Sequence, residues 1–198
     1  MQQESARRSN RERTEATRAL LIAAARRLFC EKSYAETGTP EIVAAAEVTR
    51  GALYHHFADK RALFRAVVEE ESAIVASEIE HAAPASLSPR EALVKGGEAF
   101  LAAMRASGRA RLLLLDGPAV LGRAEMDAID ARHGGRTLRE GLAMAMRGKI
   151  MRKLPLGALS GLLSAAYDRA ALAIEAGESA DEWRAALAAL IDGLLAED

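Results

Sequence analysis

Residues 37–64 read TGTPEIVAAAEVTRGALYHHFADKRALF, and the spacing of their apolar positions decides the fold. Thr39 suits a helix N-cap and Pro40 the first helical position, where its missing N–H is no loss. Ile42, Val43, Ala45 and Ala46 give that short helix its apolar side. Glu47-Val48-Thr49-Arg50 reads as a four-residue turn with one inward residue, Val48. From Gly51 to Phe57 two further helical turns follow, with Leu53 and Phe57 four apart and able to pack inward. Tyr54, His55 and His56 crowd polar aromatic groups onto the outer surface. This spacing is that of a helix-turn-helix, whose second helix fits the major groove of DNA.

Upstream, a helix is expected from about Thr14 to Lys32, with Leu21, Ala24, Ala25, Leu28 and Phe29 forming one stripe across the two motif helices. An earlier start is open, because Ser9 and Glu12 have capping-box spacing. Downstream, Asp59 is an N-cap candidate for a long helix from Lys60 to about His81, with Leu63, Phe64, Val67, Val68, Ile74, Val75 and Ile79 on its buried side.

Residues 14–66 resemble the DNA-binding domain of the tetracycline-repressor (TetR) family of one-component transcriptional regulators. The resemblance rests on Leu28-Phe29, Tyr34, Thr37, the run Leu53-Tyr54-His55-His56-Phe57, then Lys60 and Leu63-Phe64, all at the family's spacings. Ser33 stands where glycine is usual, Gly38 where serine or threonine is usual, and Glu47 where the turn has glycine. A left-handed Glu47 costs on the order of 1 kcal/mol. The resemblance implies that Thr49, Arg50, Gly51 and Ala52 form the leading end of a recognition helix. Arg50 there suits guanine O6 and N7, Gly51 allows close backbone approach, and Ala52 can touch a thymine methyl. Thr39, Tyr54, His55, His56 and Lys60 suit phosphates, with Thr37 assisting through the nearby helix end. Each has a plainer reading: His56 half-packed on the first helix, Lys60 a solvated helix-start residue, Thr39 an N-cap.

Composition supports an all-α chain. Half of the 198 residues are hydrophobic but only 4% are aromatic, so the core is mostly alanine and leucine. Net charge is −1, yet residues 1–27 carry seven arginines against three glutamates, a local +4. That arm is either solvated or reaches phosphates and the minor groove. Cys30, the single cysteine, lies beside Leu28-Phe29 and reads as a buried, inert thiol. With no leader-like segment and no apolar run of membrane length, a cytoplasmic, nucleoid-associated chain is expected.

We place a domain boundary near residue 60: an arm and helix-turn-helix domain over 1–60, and a helical effector-binding and dimerisation domain over 61–198, about nine helices in all. Ser88-Pro89-Arg90-Glu91 is a capping box opening a helix to Ser107-Gly108. A short helix, 109–115, should stop at Asp116-Gly117-Pro118. Arg123 to about Arg147 reads as one helix kinked at Gly134-Gly135, and Pro155 opens another that Gly177 closes. Ser179 to Glu182 is a second capping box, starting a last helix that reaches about Ala196.

On those last two helices Gly161, Leu162, Ala165 and Ala166, with Trp183, Leu187, Leu190, Ile191 and Leu194, form stripes that suit a homodimer seam or the chain's own core. The resemblance implies the dimer, built as a four-helix bundle, and a palindromic DNA operator as partner. Phe100, Met104, Leu113, Leu114, Met126, Ile129, His133, Met144 and Tyr167 are expected to line a pocket for a small, mostly apolar effector, or to be ordinary core. No cofactor, metal or catalytic residue is expected. A small all-α enzyme is the main rival. Asp116, Asp127, Asp130 and His133 are its one acid–histidine grouping, and a solvated helix face accounts for them better. A constitutive repressor and a sequence-nonspecific DNA organiser are two further rivals that would use the same helix-turn-helix.

Overall fold

A computed structural model describes residues 2–84 and 86–196, with the side chains of 2–10 outside the description. Arg7, Arg8 and the Ser9–Glu12 spacing therefore lie outside the described side chains. Ten α-helices and one π-helical turn make up the described residues, and no strand is found among them. Helix α1 spans Gln2–Lys32 and begins twelve residues before the expected Thr14. Residues 2–13 contain neither glycine nor proline, and Arg11 pairs with Glu15 one turn on at 2.9 Å.

Helices α2 (Thr39–Ala45) and α3 (Arg50–His56) cross α1. Leu21, Ala24, Ala25, Leu28 and Phe29 are all buried against Ile42, Leu53 and Phe57, as the stripe required. Gly38, not Thr39, caps α2, so this cap supplies no side-chain hydrogen bond. Ser33 and Glu47, two of the positions where glycine was expected, have φ of 104° and 54°. Both therefore bear the left-handed conformation that glycine would adopt freely.

Helix α4 (Lys60–Ala82) belongs to both halves of the molecule. Asp59 caps it through Ala62 N–H at 2.7 Å. Its first turns bury Leu63, Phe64, Val67 and Val68 on the α1–α3 head, and its later turns bury Val75, Ala76 and Ile79 in the body. Ile74, expected inside, is exposed, and Glu71 takes the inward position instead. Positions 67, 71 and 75 are one face of a helix, so the periodicity that buries the two valines also buries the glutamate between them.

Glu71 is 2% exposed and holds two arginines. Arg26 from α1 donates to both its oxygens, at 2.7 and 3.2 Å, and Arg109 donates at 2.8 Å. Arg109 also reaches Glu78 and the Ala103 carbonyl. Burial alone would push the Glu71 carboxyl up, but the two guanidiniums outweigh it and hold the pKa below its ordinary 4.5. Cys30, close by, is half-buried, and burial raises its thiol pKa.

The body contains α5 (Pro89–Met104), a π-helical turn (Arg111–Asp116), α6 (Gly117–Leu121), α7 (Arg123–Asp130), α8 (Gly134–Arg147), α9 (Leu156–Glu175) and α10 (Ala180–Asp192). The Ser88–Glu91 capping box is complete. At Ser179 the serine half is formed, its hydroxyl accepting from Glu182 N–H. Asp116-Gly117-Pro118 does not stop the helix there. Gly117 N–H bonds Leu112 O, five residues back, and this widening admits a proline that an α-helical ladder would reject. The expected long helix over 123–147 is instead two. Asp130 accepts from Gly135 N–H at 3.0 Å, and a Cβ on Gly135 would lie 2.4 Å from Asp130 Oδ2, so the glycine permits a full break. A second core of Leu93, Leu142, Ala145, Met151, Leu163 and Ile191 closes the far end, where Arg90 clasps Asp192.

The buried acid and the left-handed turn act on stability in opposite directions. Glu71→Ala leaves the buried Arg109 with only Glu78 and the Ala103 carbonyl, and the partly exposed Arg26 without its acid. It should lower unfolding free energy by about 3 kcal/mol in urea titrations at pH 7. In the parent chain this network's contribution is present above pH 4.5 and is lost as acid protonates Glu71. Glu47→Gly, by contrast, should raise stability by up to about 1 kcal/mol.

Candidate nucleic-acid interface and ligand cavity

Helix α3 presents two unlike faces. Leu53 and Phe57 are buried, whereas Arg50, Gly51, Tyr54 and His55 are exposed and Ala52 and His56 partly so. Thr49 is the N-cap, its hydroxyl accepting from Ala52 N–H at 3.1 Å. Arg50 stacks over the Tyr54 ring at 5.5 Å. The Tyr54 hydroxyl bonds first with Thr39 and then with Arg50, which lowers its pKa. Thr39, the first residue of α2, is thereby tied to the outward face of α3. His56 turns partly toward α1, where burial, with His55 and Arg18, lowers its pKa.

Two other candidates hold the head together. Thr37 is buried, and its hydroxyl bonds Ser33 O at 2.7 Å and Leu28 O at 3.3 Å, closing the end of α1. The Lys60 ammonium donates to Tyr34 O at 2.9 Å and Thr37 O at 3.0 Å and sits 4.0 Å from the Tyr34 ring centroid. One of its three N–H groups remains for another acceptor. Tyr34 completes an aromatic cluster with Phe29 and Phe64.

In the body two recesses, of about 230 and 310 Å³, share Phe100, Asp130, Gly134, Ser164 and Asp168 as common wall. Met144 and Tyr167 line the first, while Met104, Leu113, Leu114 and Met126 line the second. Two candidates depart. Ile129 is 1% exposed and lies in the core, lining neither recess. His133 falls in the break between α7 and α8, which turns it away to a groove beside Arg18 and His56. Its Nε2 lies 2.8 Å from Glu69, and the Arg132 hydrogen bond is the main reason that carboxyl titrates low.

The acid–histidine grouping is dispersed. Asp116 accepts from Tyr34 N–H at 3.3 Å, Asp127 pairs with Arg123 at 3.1 Å, and His133 faces Glu69. Asp127 lines the second recess and Asp130 lines both, where it meets Asp168, a residue that no motif marks. Burial raises the pKa of both carboxyls, Asp168 to about 6. The available signal was one acid set within the apolar run from Ala158 to Ile174. No group of acids, histidines and cysteine among the described residues is arranged to hold a metal. No helix among them is long and apolar enough to cross a membrane.

The dimer candidates divide. Leu187 and Ile191 are buried in the chain's own core, and Ala166 packs against it. Leu162 is 71% exposed and Leu190 53%, with Gly161 and Ala165 also outward. Trp183 and Leu194 are partly covered, Trp183 donating to Glu178.

Comparison with known proteins places these features. Residues 21–67 match the family model for bacterial regulatory proteins of the TetR family, and residues 90–197 match that for the tetracycline-repressor-like C-terminal domain. A TetR-family transcriptional regulator from Pectobacterium atrosepticum is 32% identical, with a TM-score of 0.75, covering 94% of this chain and 98% of that one. The A-factor receptor protein of Streptomyces griseus is 37% identical over 91 residues, 46% of this chain and 31% of the receptor. The AcrR regulator of Shigella flexneri is 40% identical over 77 residues, 38% of this chain and 36% of its own. The matched segment thus spans about a third of each of these curated relatives. With both halves matched and the fold shared end to end, the chain belongs to the TetR family of transcriptional regulators.

Proposed function

We propose that this DNA-binding regulator acts as a homodimeric repressor on a palindromic operator and releases it when a small molecule enters the body. The division of α3 into a buried and an outward face carries the DNA half of this reading. Arg50 and Gly51 at its leading end meet base edges, while Tyr54, His55 and the free N–H of Lys60 meet phosphates. On this reading residues 1–60 form the DNA-binding unit and 61–198 the effector-binding and dimerising unit. The relatives are regulators, which sets the enzyme reading aside.

The outward halves of α9 and α10 support a dimer. Leu162 and Leu190 leave large apolar side chains in water beside Gly161 and Ala165, small residues that allow close helix approach. Two such helices from each subunit form a four-helix seam, and a twofold partner sets the two α3 helices about 34–36 Å apart on successive major grooves.

Release needs a link from cavity to head, and α6–α7 supplies one. Pro118 and Met126 line the cavity. From the opposite side Arg61, in the first turn of α4, donates to Val120 O, Leu121 O and Glu125, and Arg65 also reaches Glu125. A ligand that displaces α6–α7 therefore pulls on the start of α4, and with it the head. A coupling of about 1–3 kcal/mol lowers operator affinity some 5- to 150-fold. Such a chain works in the cytoplasm, on the nucleoid.

Selection of bound sequences from random DNA should return an inverted repeat with half-site centres about 10 base pairs apart; unrelated single sites would refute the dimer reading. On the selected operator, Arg50→Ala should cost about 1–3 kcal/mol of binding and relax preference at one base position. Retention of full sequence preference by that variant would remove Arg50 from base readout.

A further inference from the structure

We propose that the body cavity selects a small amphipathic cation, an aryl or alkyl amine held by Asp130 and Asp168 with its apolar part along Phe100. The inference rests on the ligand-responsive reading above and replaces its apolar effector with a charged one. Asp168 makes neither a hydrogen bond nor an ion pair among the described residues. Asp130 is held only by Gly135 N–H and the Ser164 hydroxyl. The neighbouring cations are committed elsewhere. Arg123 pairs with Asp127, Arg136 with Glu80 and Glu140, and Arg169 with Glu178. Two acids therefore line one recess, Asp168 half-buried and Asp130 nearer solvent, with Arg123 acting on both through space but bonded to neither. A bound ammonium supplies the direct partner they lack.

A second observation is independent of the acids. Tyr167, 8% exposed, lines the same recess, and its hydroxyl has no hydrogen-bond partner among the described residues. The ring fits only because residue 97 is glycine, since a Cβ there would lie 2.1 Å from the hydroxyl oxygen. On a side chain this deeply set, a hydroxyl that reaches the recess without a protein partner is open to a bond from a ligand atom. Phe100 meets Tyr167 edge-on, centroids 6.0 Å apart, giving the cavity an aromatic wall suited to a cation or an aryl group. An anion meets two repelling carboxylates, and a neutral molecule leaves them unsatisfied.

Selectivity carries a pH signature. Burial, with Asp130 beside it, raises Asp168 to about 6, so in the empty cavity this carboxyl is protonated in mild acid. A cation binds the ionised form and expels that proton, so affinity rises with pH through 6. The other charged groups around the site are Glu80, Glu98, Arg123, Asp127, Arg136, Glu140 and Arg169. Of these, Glu98 is tied to Lys95 and the rest are paired as above. The ligand-free chain shows the opposite trend. A raised carboxyl pKa favours the fold below the unfolded value of 3.8, and that advantage is lost as pH rises toward 6.

The test uses the full chain and four probes of one shape class: phenethylamine, benzyltrimethylammonium, neutral 2-phenylethanol and anionic phenylacetate. Calorimetric titration at pH 7.5 should show saturable binding of both cations, with the alcohol at least tenfold weaker and the anion silent. From pH 7.5 to 5 cation affinity should fall about tenfold, as expected for displacement of one proton held with a pKa near 6. Asp168→Asn should lose at least tenfold in cation affinity and flatten that dependence. Its ligand-free melting temperature at pH 7.5 should equal or exceed the parent's, which shows that the loss is not misfolding. Equal binding of alcohol and amines overturns the cation inference but leaves a ligand-responsive cavity, and binding of none of the four overturns the inference outright. Cations that bind while the selected operator stays occupied support the cation site and refute ligand-driven release.

Discussion

The buried Glu71 carboxylate joins the two halves of the molecule. It sits midway along α4, accepts Arg26 from the head and Arg109 from the body, and has almost no access to solvent. A buried charge persists only when its partners stay in place, so this node tolerates little relative movement at mid-helix. Motion between head and body is left to what surrounds it. Arg111, in the π-helical turn, donates to the last carbonyls of α1 at Phe29 and Cys30, and Arg61 grips the end of α6. The body thus holds the head and α4 at several places, mostly through a guanidinium from one element on acceptors of another.

These links give the cavity mechanical reach. Its walls include α7 and the residues leading into α6, the elements to which Arg61 and Arg65 are anchored. The widened turn at Gly117-Pro118 matters here. A regular ladder resists local displacement because each hydrogen bond constrains the next, whereas a π-turn abutting a proline has already lost that regularity. On the proposed release mechanism, the irregular element is the one placed between the cavity and the head. Met126, against which a Cβ on Gly117 would lie at 2.9 Å, packs into this same corner.

Local chemistry in the head agrees at each level. The stripe Leu21 to Phe29, the paired Leu53 and Phe57, the Asp59 cap and the outward Arg50 and Tyr54 were all readable from spacing. Even the departures were meaningful, because Ser33 and Glu47 hold the positive φ that their expected glycines would have adopted. Less legible was the division of labour among polar residues. Thr37 and Lys60 looked like surface contacts, yet tertiary neighbours turned their donors onto backbone carbonyls. The body resisted more strongly. Glu71 was passed over because a charge on an apolar stripe reads as an interruption until the arginines that neutralise it, 45 and 38 residues away, are seen beside it. Asp130 is exposed, in keeping with the solvated helix face its spacing suggested, but nothing in the local sequence of Asp168 says that α7 and α9 line one recess.

Sequence alone determined the helical character of the chain and the packing stripes of the head. Helical periodicity, caps and turn residues act over a few positions, and the head is small enough for three helices to have one way of burying their stripes. Tertiary structure alone decided where α7 parts from α8, which half of the α9 and α10 stripes is spent inside, and which acids share the cavity. Those outcomes depend on contacts between residues far apart in the chain, where burial and charge are set by neighbours that no local pattern names.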